Sequence, residues 1–149
     1  MINGVSIIDI TSHLDYRGFF REVLRTYNLE MKIGQISHSL VYHGVIKAWH
    51  GHNEQTQLNY VVNGVIRTVL YDNRKESSTY KEIMEFLVGD NQKPIVYIFP
   101  PKVLHGYKCL NGPMNIIYIT SGAYDVKDEI RLKYNDPYID YNWSKTEIK

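Results

Sequence analysis

The sequence predicts an all-β fold, a sandwich or a closed barrel. Short strand-like runs recur along the chain with turn signals between them. No stretch alternates strand and helix patterns in the βαβ manner that marks a parallel sheet, and no internal repeat or low-complexity segment interrupts the series. His50 and His52, two residues apart, fall where side chains of a strand share a face.

Val5 to Ile10 is the first run, within an N-terminal stretch, Met1 to Thr11, that reads as strand. Phe19 to Tyr27, Gln35 to Tyr42 and Val45 to His52 follow. Leu58 to Val62 and Val65 to Tyr71 flank Asn63-Gly64, the strongest short hairpin signal, because both residues tolerate the positive φ of a tight turn. These two runs are therefore expected as the arms of a hairpin. Tyr80 to Val88 lacks clean alternation, but its surroundings favour a strand. Ile95 to Phe99, Gly106 to Leu110 and Asn115 to Thr120 complete the set, with Asn111-Gly112 expected as another turn. The polar, tyrosine-rich tail from Asp125 is expected to form one short helix or irregular structure.

Residues 1–149 are expected to form one domain. The 17 basic and 16 acidic residues nearly cancel, so no global field argues for nucleic acid or an anionic membrane. The single cysteine, Cys109, cannot form an internal disulfide and fits a reducing compartment. The N-terminus carries no basic lead, and apolar runs such as Ile95 to Phe99 are too short to span a bilayer. The expected location is the cytoplasm.

The chemistry concentrates in one pattern, Gly44-x5-His50-x-His52-x4-Gln57-x6-Gly64, followed by Pro100-x4-His105. By strict alternation Ile46, Ala48, His50 and His52 share one face, and Lys47, Trp49 and Gly51 the other. Gln57 and His105, from later strands, are placed to join the histidine pair inside a small barrel. This spacing resembles that of the cupin motifs, with Gln57 where glutamate is usual, and the resemblance implies a cupin jelly-roll barrel. A lone histidine is more often a packed core or rim residue; a pair with a matched glutamine and a third histidine points to function.

Two functional readings fit these residues. In one, His50, His52, Gln57 and His105 are metal ligands, imidazole suiting several transition metals and the amide oxygen being a weak fourth donor. In the other the site is metal-free, and a histidine acts as general base near neutral pH. Tyr118, which shares a face with Ile116 and Thr120, is then a candidate general acid. Phe99-Pro100-Pro101 reads as a rigid lead-in that sets His105 at a barrel mouth. Asp15-Tyr16-Arg17-Gly18-Phe19-Phe20-Arg21-Glu22 packs a turn, two aromatics and several charges together, which suits an edge hairpin or a nucleotide site.

Taken together, these residues resemble the dTDP-4-dehydrorhamnose 3,5-epimerases, metal-free cupins that act on nucleotide-linked 4-keto-6-deoxy sugars. The carriers are Arg17-Gly18-Phe19-Phe20 with Glu22, Gln35-x-Ser37-x-Ser39, Gly44-Val45-Ile46-Lys47-x-x-His50 and Val61-Val62-x-Gly64. Tyr71-Asp72-x-Arg74-x-x-Ser77-x-Thr79, Pro100-x4-His105-Gly106-Tyr107, Tyr118-x-Thr120, Tyr124, Glu129 and Asn135-Asp136-Pro137 through Trp143 complete the match. The resemblance implies that His50 is the base removing the proton next to the C4 ketone and Tyr118 the acid on the opposite ring face. It implies that Arg17 and Glu22 contact the nucleotide and phosphates, the arginine reaching from a partner subunit, and that Phe20 stacks on the base. Gln35, Ser37, Lys47, His105 and Glu129 fall on substrate-binding positions, Lys47 replacing an arginine.

Two departures follow from the same resemblance. Gln57 stands where the family has a lysine that supports the enolate oxygen. The family's base is paired with an aspartate beyond the final tryptophan, whereas the stretch Ser144 to Lys149 holds none; Glu54 or a residue of another chain is the candidate substitute. Locally, His50-x-His52-x4-Gln57-Leu58-x4-Gly64 is also similar to the nucleotide-sugar 3,4-ketoisomerases, which use a histidine pair. The expectation is an epimerase or isomerase of a dTDP- or UDP-linked 4-keto-6-deoxyhexose, with no metal or other cofactor, in a homodimer that exchanges N-terminal strands. His52 and His105 would line or orient the sugar and Gln57 would lie near the enediolate oxygen. A metal-dependent cupin enzyme and a non-catalytic sugar-nucleotide binder are the alternatives.

Overall fold

The computed structural model describes residues 1–146, so residues 147–149, the end of the expected domain, lie outside the described residues. The elements are β1 (Ser6–Asp9), β2 (Ser12–Asp15), β3 (Gly18–Arg21), a 3-10 turn (Thr26–Asn28), β4 (Gln35–Val41), β5 (Ile46–His52), β6 (Gln57–Asp72), β7 (Ile83–Gly89), β8 (Ile95–Phe99), β9 (Val103–Thr120) and β10 (Glu129–Arg131). The architecture is all-β, as predicted. No α-helix occurs among the described residues, and none of their helices is long and apolar enough to cross a membrane.

Two long strands organise everything else. β6 and β9 pair antiparallel from Gln57↔Thr120 to Asp72↔Val103. The first half of β6 also pairs with β8, which carries β1, and the first-half partner on β9 pairs with β4. The second half of β6 pairs with β7, and the matching half of β9 pairs with β5, which carries β10. Because β6 and β9 run through both halves, the sheet folds over into two faces of a jelly roll. Between them lies an apolar core that includes Val61, Ile66, Leu70, Tyr97, Phe99, Met114 and Ile116. The β2–β3 hairpin forms a separate two-stranded sheet.

The Asn63-Gly64 hairpin is not formed: both flanking runs belong to β6. The Asn111-Gly112 turn likewise lies within β9. The two sites oppose one another as paired irregularities, with Asn63↔Asn115, Val65↔Asn111 and register shifts between. Asn115 Nδ2 donates to Asn63 Oδ1 at 2.8 Å across the break. Gly64 has φ +81°, and a Cβ there would lie 2.7 Å from the Asn111 carbonyl oxygen. The same positive-φ residue serves a type I′ turn or a bulge. Here continuation wins, since the runs on both sides are buried. Other differences are smaller. The Phe19 to Tyr27 run breaks into β3 and the 3-10 turn, β7 starts at Ile83, and the tail is irregular, as one of the two expectations had it, except for the short strand β10.

A third irregularity re-aims the key strand. Lys47 pairs with Tyr107 and His50 with His105, so β5 spends three steps where β9 spends two. The extra residue at Ala48-Trp49 corrects the expected face assignment. Ile46 and Ala48, expected on the His50 face, pack with Trp49 against Val69, Leu104 and Trp143. Lys47, expected on the far side from His50, lines the same cavity as His50. Gly106 lies against this bulge. A Cβ on it would collide with that of Ala48 and sit 3.1 Å from the Lys47 carbonyl oxygen. Gly106→Ala is therefore expected to cost about 1–3 kcal/mol of stability by overpacking. Urea denaturation reads this, and a variant as stable as the parent would show that the bulge yields freely.

Candidate active site

The jelly roll opens into a cavity of about 630 Å³, in the range that holds a small organic ligand. β4 contributes Gln35, Ser37 and Ser39; β5 contributes Lys47, His50 and His52; β6 contributes Gln57. β9 adds His105, Tyr107 and Tyr118, and β10 adds Glu129 and Arg131. Nine of the predicted site residues are thus brought together: Gln35, Ser37, Lys47, His50, His52, Gln57, His105, Tyr118 and Glu129. Arg17, Phe20 and Glu22 are not. Arg17 pairs with Asp15 on the β2–β3 hairpin, Glu22 pairs with Arg25 at 2.6 Å, and Phe20 is 64% exposed.

His50 is oriented by a carboxylate. β10 runs antiparallel beside β5, pairing Glu129 with His52 and Arg131 with His50, and Glu129 Oε1 lies 2.9 Å from His50 Nε2. With Nε2–H donating to the Glu129 carboxylate, Nδ1 keeps a lone pair. Burial pushes the His50 pKa below the usual histidine value, with Glu129 opposing that shift. The ring is therefore neutral near pH 7. Arg131 donates to both oxygens of Glu129, at 2.9 and 3.0 Å, and holds that carboxyl below its ordinary range.

His52 sits between two acceptors. Its Nδ1 lies 3.0 Å from Asp128 Oδ2 and its Nε2 lies 3.1 Å from Gln57 Oε1. A polar thread continues inward: Gln57 Nε2 donates to Asn59 Oδ1 at 2.8 Å, and Asn59 Nδ2 donates to the Tyr97 hydroxyl at 3.0 Å. His105 is buried, with Nδ1 unpartnered and its ring 5.3 Å from that of His50. Burial, then the other two histidines, press its pKa well below the usual value. Tyr118 and Tyr107 share a 2.6 Å hydroxyl contact, and burial pushes both phenols up. Tyr118 is thus a protonated donor at neutral pH.

Asp128, Arg131 and Tyr107 are site residues that sequence reasoning missed, and Asp128 is the least legible of them. It lies in the tail read as irregular, and only the β10–β5 pairing carries it across to His52, 76 positions away. Its one local sign was the acidic pair Asp128-Glu129. Glu54, the substitute considered from sequence, is exposed and contributes its backbone N–H to Asp128 at 2.7 Å. The geometry does not suit a metal. Both ring nitrogens of His52 and the Gln57 carbonyl are committed to one another and to Asp128. Among the described residues no cluster of three or more His, Cys, Asp or Glu is arranged to hold an ion.

Comparison with known proteins adds the remaining observations. The family model described as dTDP-4-dehydrorhamnose 3,5-epimerase matches residues 1–149. The spore coat polysaccharide biosynthesis protein SpsL of Bacillus subtilis (strain 168) is 40% identical over 153 residues, covering 100% of both chains. A dTDP sugar isomerase from Desulfovibrio desulfuricans G20 superposes with a TM-score of 0.89 at 23% identity, covering 98% of this chain and 94% of that one. An epimerase from Legionella pneumophila in complex with dTDP-4-keto-L-rhamnose gives 0.86 at 22% identity, covering 99% and 83%. These structures establish the cupin jelly-roll fold.

Proposed function

Since this chain belongs to the dTDP-4-dehydrorhamnose 3,5-epimerase family, we propose that it epimerises a nucleotide-linked 4-keto-6-deoxyhexose in deoxysugar or polysaccharide biosynthesis. The observation that carries this reading is a neutral, carboxylate-held histidine and a protonated tyrosine lining one cavity. His50 takes the proton from the carbon next to the ketone, leaving an enolate. Tyr118 returns a proton to the opposite face, and Tyr107, in contact with its hydroxyl, is placed to relay the replacement. Gln35, Ser37, Lys47 and His105 bind and orient the sugar nucleotide, Lys47 being the cation nearest a phosphate's needs. Proton transfer of this kind requires neither metal nor redox cofactor. The buried, free Cys109 is in keeping with work in the cytoplasm.

Incubation with dTDP-4-keto-6-deoxyglucose in deuterated water tests the reading. Deuterium is expected at sugar C3, C5 or both by NMR. A 4-to-3 keto shift would instead favour the ketoisomerase reading suggested by the His50-x-His52 pair. No exchange with the dTDP or UDP sugar would refute both.

The β2–β3 hairpin supports a homodimer with exchanged N-terminal strands. Phe19 and Phe20 are 58% and 64% exposed, and Arg17 and Glu22 lie away from their own chain's cavity. A partner's cavity would use all of them: Arg17 and Glu22 at the nucleotide and its phosphates, Phe20 against the base. Arg17→Ala is expected to raise KM about tenfold, as for a lost charge-assisted contact, with little change in kcat. Mixing Arg17→Ala with His50→Ala subunits should produce a fraction of sites with the parental KM, read at substrate below the KM of Arg17→Ala, because one site of each heterodimer is then intact. A mixture that shows only the raised KM of Arg17→Ala would place Arg17 in its own subunit's site.

A further inference from the structure

Among the described residues, His52 is the cavity histidine with an acceptor at each ring nitrogen: a carboxylate oxygen at Nδ1 and an amide carbonyl at Nε2. A neutral imidazole has one N–H and one lone pair, so it satisfies one of these acceptors and repels the other. Two protons satisfy both.

The surroundings point the same way. Asp128 is only 7% exposed, and its carboxylate accepts hydrogen bonds from His52 and from the Glu54 backbone N–H; no other described side chain hydrogen-bonds to this carboxylate. A buried carboxylate without a counter-charge is costly, and an imidazolium supplies one. The Gln57–Asn59–Tyr97 thread is aligned with this arrangement. Gln57 turns its oxygen to His52 and gives its nitrogen to Asn59, whose own nitrogen is given to Tyr97. Thr68 Oγ1 also donates to the Tyr97 hydroxyl, at 3.3 Å, which holds the inner end of the thread. The other ionisable neighbours leave His52 its charge. Glu129, from β10, is engaged by His50 and Arg131; His50 on the same strand and His105 on β9 are kept neutral by burial.

We infer that His52 is held as a doubly protonated imidazolium by Asp128 and Gln57, and is a fixed positive charge at the wall of the cavity. Its role rests on the epimerase reading: it would stabilise the negative charge that develops on the ketone oxygen as His50 removes the neighbouring proton. With both nitrogens committed, it acts through its field rather than by giving up a proton.

Nitrogen-15 NMR of the histidine rings in the unaltered protein tests the charge state without relying on activity. Both His52 nitrogens are expected in the protonated range at neutral pH, each coupled to a proton, while His50 and His105 show one bare nitrogen. One bare nitrogen on His52 overturns the inference. In kinetics, His52→Gln should lower kcat about a hundredfold with KM little changed, the scale of one lost oxyanion stabiliser. Adding Gln57→Lys to that variant should recover about tenfold or more by returning a cation to the same wall. Unchanged kcat in His52→Gln, or no recovery in the double variant, overturns the electrostatic role. A doubly protonated ring in a protein that exchanges no substrate deuterium would confirm the charge state and overturn the epimerase reading instead.

Discussion

His50→Ala is expected to reduce turnover by about a thousandfold or more, and solvent deuterium incorporation with it, since a general base typically supplies 10²–10⁴ in rate. The expectation rests on placement. His50 lines the cavity, gives Nε2 to Glu129 and retains a lone pair at Nδ1. Substrate affinity should change far less than kcat, because the ring is one of many groups lining the cavity. The pH profile sharpens the test. A base must be neutral, and burial sets the His50 pKa below the usual value of about 6.5. Activity should therefore be level through neutral pH and fall only as pH drops through a value under 6.5. Glu129 favours the protonated ring, so Glu129→Gln should move this acid limb to still lower pH while reducing kcat through loss of ring orientation. A His50→Ala variant that retains substantial exchange would remove His50 from the reaction.

Asp72→Ala is expected to cost about 3–5 kcal/mol of stability, the range for breaking a buried, hydrogen-bonded ion pair. Asp72 ends β6 with its side chain fully buried. It accepts from Arg74 Nε and Nη2, each at 2.8 Å, from the Arg74 backbone at 3.0 Å, and from Ser77 and Thr79 hydroxyls at 2.7 Å. Arg74 and Thr79 in turn bind the backbone of Asn3, so the cluster also fastens the N-terminal segment. Burial alone would raise this carboxyl's pKa, but Arg74, Ser77 and Thr79 together pull it well below the ordinary range. A depressed folded-state pKa gives stability that is present above about pH 4 and is lost as pH falls below that value. Urea titrations of parent and variant should therefore differ most near neutral pH and converge in acid. A loss under about 1 kcal/mol would mean that the cluster behaves as an exposed ion pair.

How much was legible in the sequence depended on the range of the interaction. The strand runs, the all-β class, the jelly roll and the residue types of the His50, His52, Gln57, His105 and Tyr118 constellation were readable, because alternation and motif spacing are written locally. Asn63-Gly64 shows where local reading stops. Positive φ at Gly64 is compatible with a turn or a bulge, and the opposing irregularity around Asn111 to Asn115 selects the bulge. Lys47 shows it again. One extra residue in β5, seen only against the register of β9, brings Lys47 to the cavity and packs Ile46 and Ala48 against the Trp49 cluster.

Which chemical groups this protein owns, and the barrel that would gather them, can be read from local pattern alone. Their electrical states arise only once the strands are packed. Asp128 and Glu129 meet His52 and His50 through strand pairing across more than 70 positions, burial makes His50 and His105 neutral, and His52 is set between two acceptors. Those states follow from desolvation and from partners distant in the chain, and neither is encoded in the spacing of the residues that carry them.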